Sequence, residues 1–136
     1  MYFLTTSTHQ RRPIFANRSN ANTVLETIRW LHGSRRISVD AAVVMPDHLH
    51  LVGQLGDVSL DRLMHSLKSY SAHLMVRSGV SPPIWQDGFH DHGLRDEENY
   101  RARIRYVLQN PIRAGLADSI ESYPYLILPD WWKAPK

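Results

Sequence analysis

The sequence predicts an α+β fold in which helices pack on one face of an antiparallel sheet. Three observations carry that expectation. Short blocks of β-branched and aromatic residues recur at 2–8, 35–45 and 47–54. Two blocks with apolar residues three and four apart lie near 22–33, between the first and second of these, and near 60–77, after the third. A third helical block, acidic at its start and basic at its end, follows a short bent strand at 84–94. The resulting order, β-α-β-β-α-β and then a helix, is the ferredoxin-like arrangement with one addition.

Each element has a local reason. Tyr2 to Thr8 alternates as a half-buried strand does, and Gln10 to Asn17 forms a basic loop around Pro13. Ser19 or Asn22 can cap a helix in which Val24, Leu25, Ile28, Trp30 and Leu31 recur on one side and which Gly33 stops. Arg35 to Met45 and Asp47 to Gln54 are strands joined at the tight bend Met45-Pro46-Asp47. After the break Gly56-Asp57-Val58-Ser59, the spacing of Leu60, Leu63, Met64, Leu67, Ala72, Leu74, Met75 and Val76 predicts a helix of about five turns. Ser78 to Pro83 ends it, and Ile84-Trp85-Gln86 with Phe89 to Leu94 makes the bent strand. Asp96-Glu97-Glu98 opens the last helix, and Asn110-Pro111 should close it, because a residue before proline is pushed away from helical geometry. Beyond Gly115 a turn-rich tail carries aromatic residues expected to lie across the domain.

Composition narrows the function. At 136 residues the chain is expected to be one domain over 1–136, with a core to about residue 116 and a tail at 117–136. It is too short for a (β/α)8 barrel of about 250 residues, so a barrel hydrolase carrying His-x-His is not expected. Without cysteine, any metal must sit on nitrogen and oxygen. No apolar run reaches the ~20 residues of a membrane span. The start lacks the pattern of a secretory signal, so no membrane partner and a cytoplasmic location are expected. Sixteen Lys and Arg against thirteen Asp and Glu give a charge of +3. Arginines gather in the first third and on the last helix, which suits a polyanionic partner, although composition bias gives the same pattern. Arg11, Arg12, Arg103, Arg105 and His92 are the candidate nucleic-acid contacts.

Two clusters stand out. His48 and His50 are two apart on a strand, so they share a face with Cα atoms about 7 Å apart, while Leu49 and Leu51 turn to the other side. They could converge on a cation or decorate a sheet, since the spacing fixes no third ligand. On the last helix Tyr100, Ile104, Val107 and Leu108 form the core side. Asn99, Arg103, Tyr106 and Asn110 form a second stripe, either half of an active site or an ordinary polar surface. Tyr70 has no ligand-type residue four positions on, and Tyr100 lies on the core side. His90-Asp91-His92 is a second His-x-His that could contact DNA or lie idle at the surface. Trp30 and Trp85 could stack on bases, although core packing is the expected role of both.

Val43-Val44-Met45-Pro46 followed by His48-Leu49-His50, then Trp85-Gln86 and Phe89-His90-Asp91-His92, then Tyr106-Val107-Leu108-Gln109-Asn110-Pro111-Ile112-Arg113-Ala114-Gly115-Leu116, together resemble the REP-associated tyrosine transposases. These form a single-tyrosine branch of the HUH nucleases. The resemblance runs from the first strand to about Leu116, with the motifs in the family's order. Asp47 is a departure, standing where the family usually has asparagine and adding negative charge beside a site that must accept phosphate.

The resemblance implies a metal-dependent nuclease and strand transferase acting on single-stranded DNA beside a REP-type hairpin. Tyr106 would take the 5′ phosphate, and His48, His50 and Asn110 would hold the cation. Two imidazoles, an amide and open positions suit Mg2+ or Mn2+ better than Zn2+. The group looks monomeric, so a monomer is favoured over a homodimer that exchanges tyrosine helices. The rival reading is a non-catalytic ferredoxin-like module that binds RNA or single-stranded DNA. Against it, no strand carries the Lys/Arg-Gly-aromatic-Gly-aromatic run of such modules.

Overall fold

The structure, a computed structural model, describes residues 1–132. Its elements are β1 (Tyr2–Ser7), α1 (Arg18–Gly33), β2 (Ile37–Met45), β3 (His48–Leu55), α2 (Leu60–Arg77), β4 (His90–Gly93), α3 (Glu97–Arg113) and β5 (Leu126–Ile127). Two single 3-10 turns, His9–Arg11 and Ile14–Ala16, connect β1 to α1. The strands lie in the order β4-β1-β3-β2-β5, and every pair is antiparallel. The ferredoxin-like expectation therefore holds for the first four strands.

The pleat sends alternate residues to opposite faces, and here both faces are apolar. Leu4, Ala42, Val44, Leu49 and Leu51 pack against α1 and α2 through Val24, Leu25, Ile28, Leu63 and Leu67. On the reverse, Ala41, Val43, Met45 and Val52 meet Ile104, Val107 and Leu108 of α3. The helices thus cover two faces, not the one expected. The signal was the unbroken apolar run Ala41 to Met45, the mark of a strand buried on both sides. A bulge between Val39 and Ala41 leaves Asp40 unpaired in the ladder, and its carboxylate accepts the Tyr100 hydroxyl.

Four boundaries differ from expectation. Helix α1 starts earlier, because Asn17 caps it by accepting from the Asn20 N–H at 3.2 Å. Helix α3 continues through Pro111 to Arg113. The proline forfeits only its own N–H, and the true stop lies beyond it. Gly115 takes φ +75°, and Leu116 N–H returns to the Pro111 carbonyl at 2.8 Å. The bent strand is reduced to β4, with Trp85 making an isolated bridge to Thr8. The tail adds a fifth strand against β2 and is secured by the Tyr123 hydroxyl donating to the Val44 carbonyl at 2.7 Å.

The tryptophans part ways. Trp85 is buried against Phe15 and donates to Ser71 Oγ at 3.0 Å, as core packing requires. Trp30 is 48% exposed and stacks on Tyr70 with Arg36 over its ring, so the core role expected for it is wrong. Position 30 sits about 200° round the helix from Ile28, which turns it off the buried side. Among the described residues no helix is long and apolar enough to cross a membrane.

Candidate active site

The two-residue turn Pro46-Asp47 delivers His48 to the first position of β3, and the strand's alternation puts His50 and Val52 beside it on the α3 face. The His48 and His50 rings meet edge to face with centroids 4.7 Å apart. Helix α3 crosses this face with Ile104, Val107 and Leu108 inward, which carries Tyr106 along its flank to the histidines. The Tyr106 ring stands edge-on to His50 at 5.8 Å and to Phe3 at 6.0 Å, and is 40% exposed. Phe3 in turn stacks on His50 at 5.3 Å.

Positive charge surrounds the tyrosine. The Arg113 guanidinium lies 4.4 Å from its ring centroid and donates to the Tyr106 carbonyl at 2.6 Å. That of Arg103 lies 5.8 Å from the same ring and 4.8 Å from Phe3. A phenolate forming at Tyr106 would therefore face two guanidiniums.

Both imidazoles are tied through the same nitrogen. His48 Nδ1 sits 2.7 Å from Asp47 Oδ1, and His50 Nδ1 sits 2.7 Å from Thr5 Oγ1. Burial, reinforced by the charges of His48, Arg113, Arg103 and Arg11, pushes the His50 imidazole down to a pKa of about 3. It is neutral at physiological pH, as a metal ligand must be. For Asp47, burial raises the carboxyl, but hydrogen bonds from His48 and Arg11 outweigh it and leave the group below the usual carboxylate range.

Asn110 lies one turn beyond Tyr106 on the same side of α3, and its Oδ1 is fully enclosed with no hydrogen-bond partner. An orphaned buried amide oxygen is a costly feature that a cation would satisfy. As donor types, that oxygen and the imidazole nitrogens of His48 and His50 suit a divalent metal. Among the described residues no three His, Cys, Asp or Glu side chains cluster.

The remaining candidates are dispersed. Arg11 is exposed, and its Nε donates to Asp47 Oδ2 at 3.0 Å beside the histidines. Arg12 is spent on backbone carbonyls of Ser81 and Pro83, holding that loop to the core. Arg105 is exposed about half a turn from Arg103, on the outer side of α3. His92 pairs with Phe3 and His90 with Thr5 across β1 and β4, so both project from the face that bears His50. Three residues of the cluster escape sequence reasoning. Phe3 and Thr5 belong to a strand that carries no motif, and Arg113 lies beyond the proline expected to end its helix.

Residues 1–109 match the family described as Transposase IS200 like. A REP-associated tyrosine transposase of Escherichia coli (strain K12) is 27% identical over 93 residues, which cover 67% of this chain and 54% of the relative. The chain thus spans about half the length of the curated relatives it matches. A solved REP-associated tyrosine transposase bound to a REP hairpin superposes with a TM-score of 0.78 at 24% identity. That superposition covers 92% of this chain and 74% of the other. With about four-fifths of its length matched, from β1 through the nucleophile candidate on α3, this chain belongs to the IS200-like transposase family.

Proposed function

We propose that the chain is a divalent-metal-dependent endonuclease and strand transferase that cuts single-stranded DNA beside a REP-type hairpin through Tyr106. The observation that carries this reading is the meeting, within one chain, of the Tyr106 ring and the His48 and His50 pair, with centroid distances of 5.8 Å and 4.7 Å along the row. The meeting of tyrosine and histidines within one chain also favours action as a monomer.

His48, His50 and Asn110 would hold Mg2+ or Mn2+, which supplies charge neutralisation at a non-bridging phosphate oxygen. Tyr106 is the nucleophile. The guanidiniums of Arg103 and Arg113 flank its ring, and the proton the phenol gives up is balanced by the one the departing 3′ oxygen takes. Its oxygen forms the new bond to phosphorus as the bond to the 3′ oxygen breaks. That oxygen takes a proton and leaves as a hydroxyl, and the 5′ phosphate remains esterified to Tyr106. The ester formed is close in energy to the one broken, so a second 3′ hydroxyl can reverse the step without ATP. Arg103 and His92, both on the site's face, are the favoured DNA contacts of this reading; Arg105 sits further round the helix, and Arg11 and Arg12 are held by protein groups. Hairpin recognition comes by analogy from the relative that binds one.

The test is a denaturant-resistant protein–DNA adduct on hairpin oligonucleotides with Mg2+ or Mn2+. Wild type should form it; Tyr106→Phe should form none while still binding the hairpin. His48→Ala and His50→Ala should likewise lose cleavage and keep binding, with affinity falling steeply as salt rises. An adduct surviving in Tyr106→Phe would overturn the assignment. Tight hairpin binding by wild type without any adduct would favour the non-catalytic module instead.

A further inference from the structure

We propose that Asp47, held in place by Arg11, is a positioning residue that fixes His48 with its proton on Nδ1 and its Nε2 bare toward the site. This rests on the reading of His48 as a metal ligand. A carboxylate has no proton to give, so the 2.7 Å contact between Asp47 Oδ1 and His48 Nδ1 is an Nδ1–H donation. In a neutral imidazole that leaves Nε2 as the lone pair. His50 Nδ1 is anchored on Thr5 Oγ1 at 2.7 Å, a hydroxyl that can donate or accept, so Asp47 alone dictates a proton position in the pair. Both rings are nonetheless held at Nδ1 on one strand face, which leaves Nε2 of each outside these bonds.

The support for Asp47 is itself constrained. Its second oxygen takes Arg11 Nε at 3.0 Å, and Arg11 Nη1 reaches Ser7 Oγ at 3.4 Å. Gln10 and Arg11 are consecutive non-glycine residues with φ of 55°, a left-handed stretch that L side chains avoid. The turn is pinned by the two residues that lead into it: Thr8 N–H donates to the Asp47 carbonyl at 2.9 Å, and His9 N–H to that of Ile84 at 2.9 Å. The strained turn delivers a guanidinium to the one carboxylate adjoining the histidines. Arg11 thereby also answers the difficulty that Asp47 raises. A bare carboxylate there would repel an incoming phosphate, and the guanidinium neutralises it without breaking its bond to His48.

Two readouts test this on protein without DNA. The first is the tautomer of His48, read from long-range 15N–1H NMR spectra of the metal-free protein. The second is Mn2+ affinity by calorimetry. Wild type should show His48 protonated at Nδ1. Asp47→Ala should mix the tautomers and weaken Mn2+ by about tenfold to a hundredfold, as loss of an outer-shell partner does. Asp47→Asn keeps an accepting oxygen, so it should restore both to within about threefold; a merely structural role predicts no such rescue. Arg11→Gln removes the group that holds the carboxylate, so it should mix the His48 tautomers in the wild-type background and have no further effect in Asp47→Ala, where nothing is left to hold. An Nδ1–H tautomer and Mn2+ affinity both unchanged in Asp47→Ala would overturn the proposal. Should wild type bind no Mn2+ or form no adduct, the nuclease reading fails, and the tautomer comparison still decides the role of Asp47.

Discussion

The two faces of the sheet use alternate residues of the same strands and are finished in opposite ways. On the α1 and α2 face the buried polar groups have partners: Thr27 Oγ1 donates to the Thr23 carbonyl, and Ser71 Oγ donates to that of Leu67 while accepting from Trp85. On the α3 face Asn110 Oδ1 is enclosed without a partner, His50 is buried and neutral, and Tyr106 is left 40% exposed. Unsatisfied polar atoms and half-packed aromatics cost stability and persist where something other than packing is selected. The first face holds the domain together. The second keeps atoms available.

The largest expected effect breaks that division most directly. Phe15 is fully enclosed against Trp85, with ring centroids 5.1 Å apart, and Phe15→Ala should lower unfolding free energy by about 3–5 kcal/mol. Tyr106→Phe on the other face should change it by less than about 0.5 kcal/mol, since an exposed hydroxyl without a partner is lost. Chemical denaturation of both variants decides it. Comparable losses would mean that the faces are not specialised.

This contrast explains what was legible in the sequence. Packing writes itself as periodicity, so both long helices and the β2–β3 hairpin could be placed before any coordinates. The site was readable where a strand or helix period fixed relative direction: His48 with His50, and Tyr106 with Asn110 and Arg103. It was not readable where partners come from distant elements without a period of their own. Phe3 and Thr5 reach His50 only because β1 pairs with β3, and Arg113 joins Tyr106 only because α3 runs through Pro111. Local proline chemistry lost there to a helix whose Pro111 is buried and whose stop is Gly115. Trp30 failed for the reverse reason. A large aromatic near the end of an apolar period need not share its face.

The next effect in size uses pH on the buried ligand candidate. The folded pKa of His50 is depressed from 6.5 to about 3, so as pH falls below 6.5 the unfolded chain takes a proton that the folded ring refuses. Metal-free protein should lose stability as pH drops from 6.5 toward 3. Between 6.5 and 5, before most carboxylates titrate, His50→Gln should fall less steeply than wild type. Parallel curves would mean that the ring is not held neutral.

A smaller effect tests the seam between the α3 face and the tail. Burial, with the neighbouring Tyr125, pushes the Tyr123 phenol up to about 12, and its hydroxyl donates to the Val44 carbonyl. Tyr123→Phe should cost about 0.5–1.5 kcal/mol at pH 7. Above pH 10 the sign turns. The unfolded phenol releases its proton while the folded one keeps it, so wild type loses stability up to about pH 12 and the variant loses less. A constant difference between the two from pH 7 to 11.5 would show the phenol to be solvated.

The smallest effect is the most discriminating, because the two faces predict opposite signs for the same kind of truncation. Removing a buried polar side chain from the α1 and α2 face, as in Ser71→Ala, strands the Trp85 N–H and should cost about 1–3 kcal/mol. Asn110→Ala removes an oxygen that has no partner to strand and replaces asparagine with a better helix former. In metal-free protein it should leave the denaturation midpoint unchanged or raise stability by up to about 1 kcal/mol, while Mn2+ affinity falls. A loss of stability equal to that of Ser71→Ala would assign Asn110 to the scaffold, and the cation would then have to be held by the two imidazoles without it.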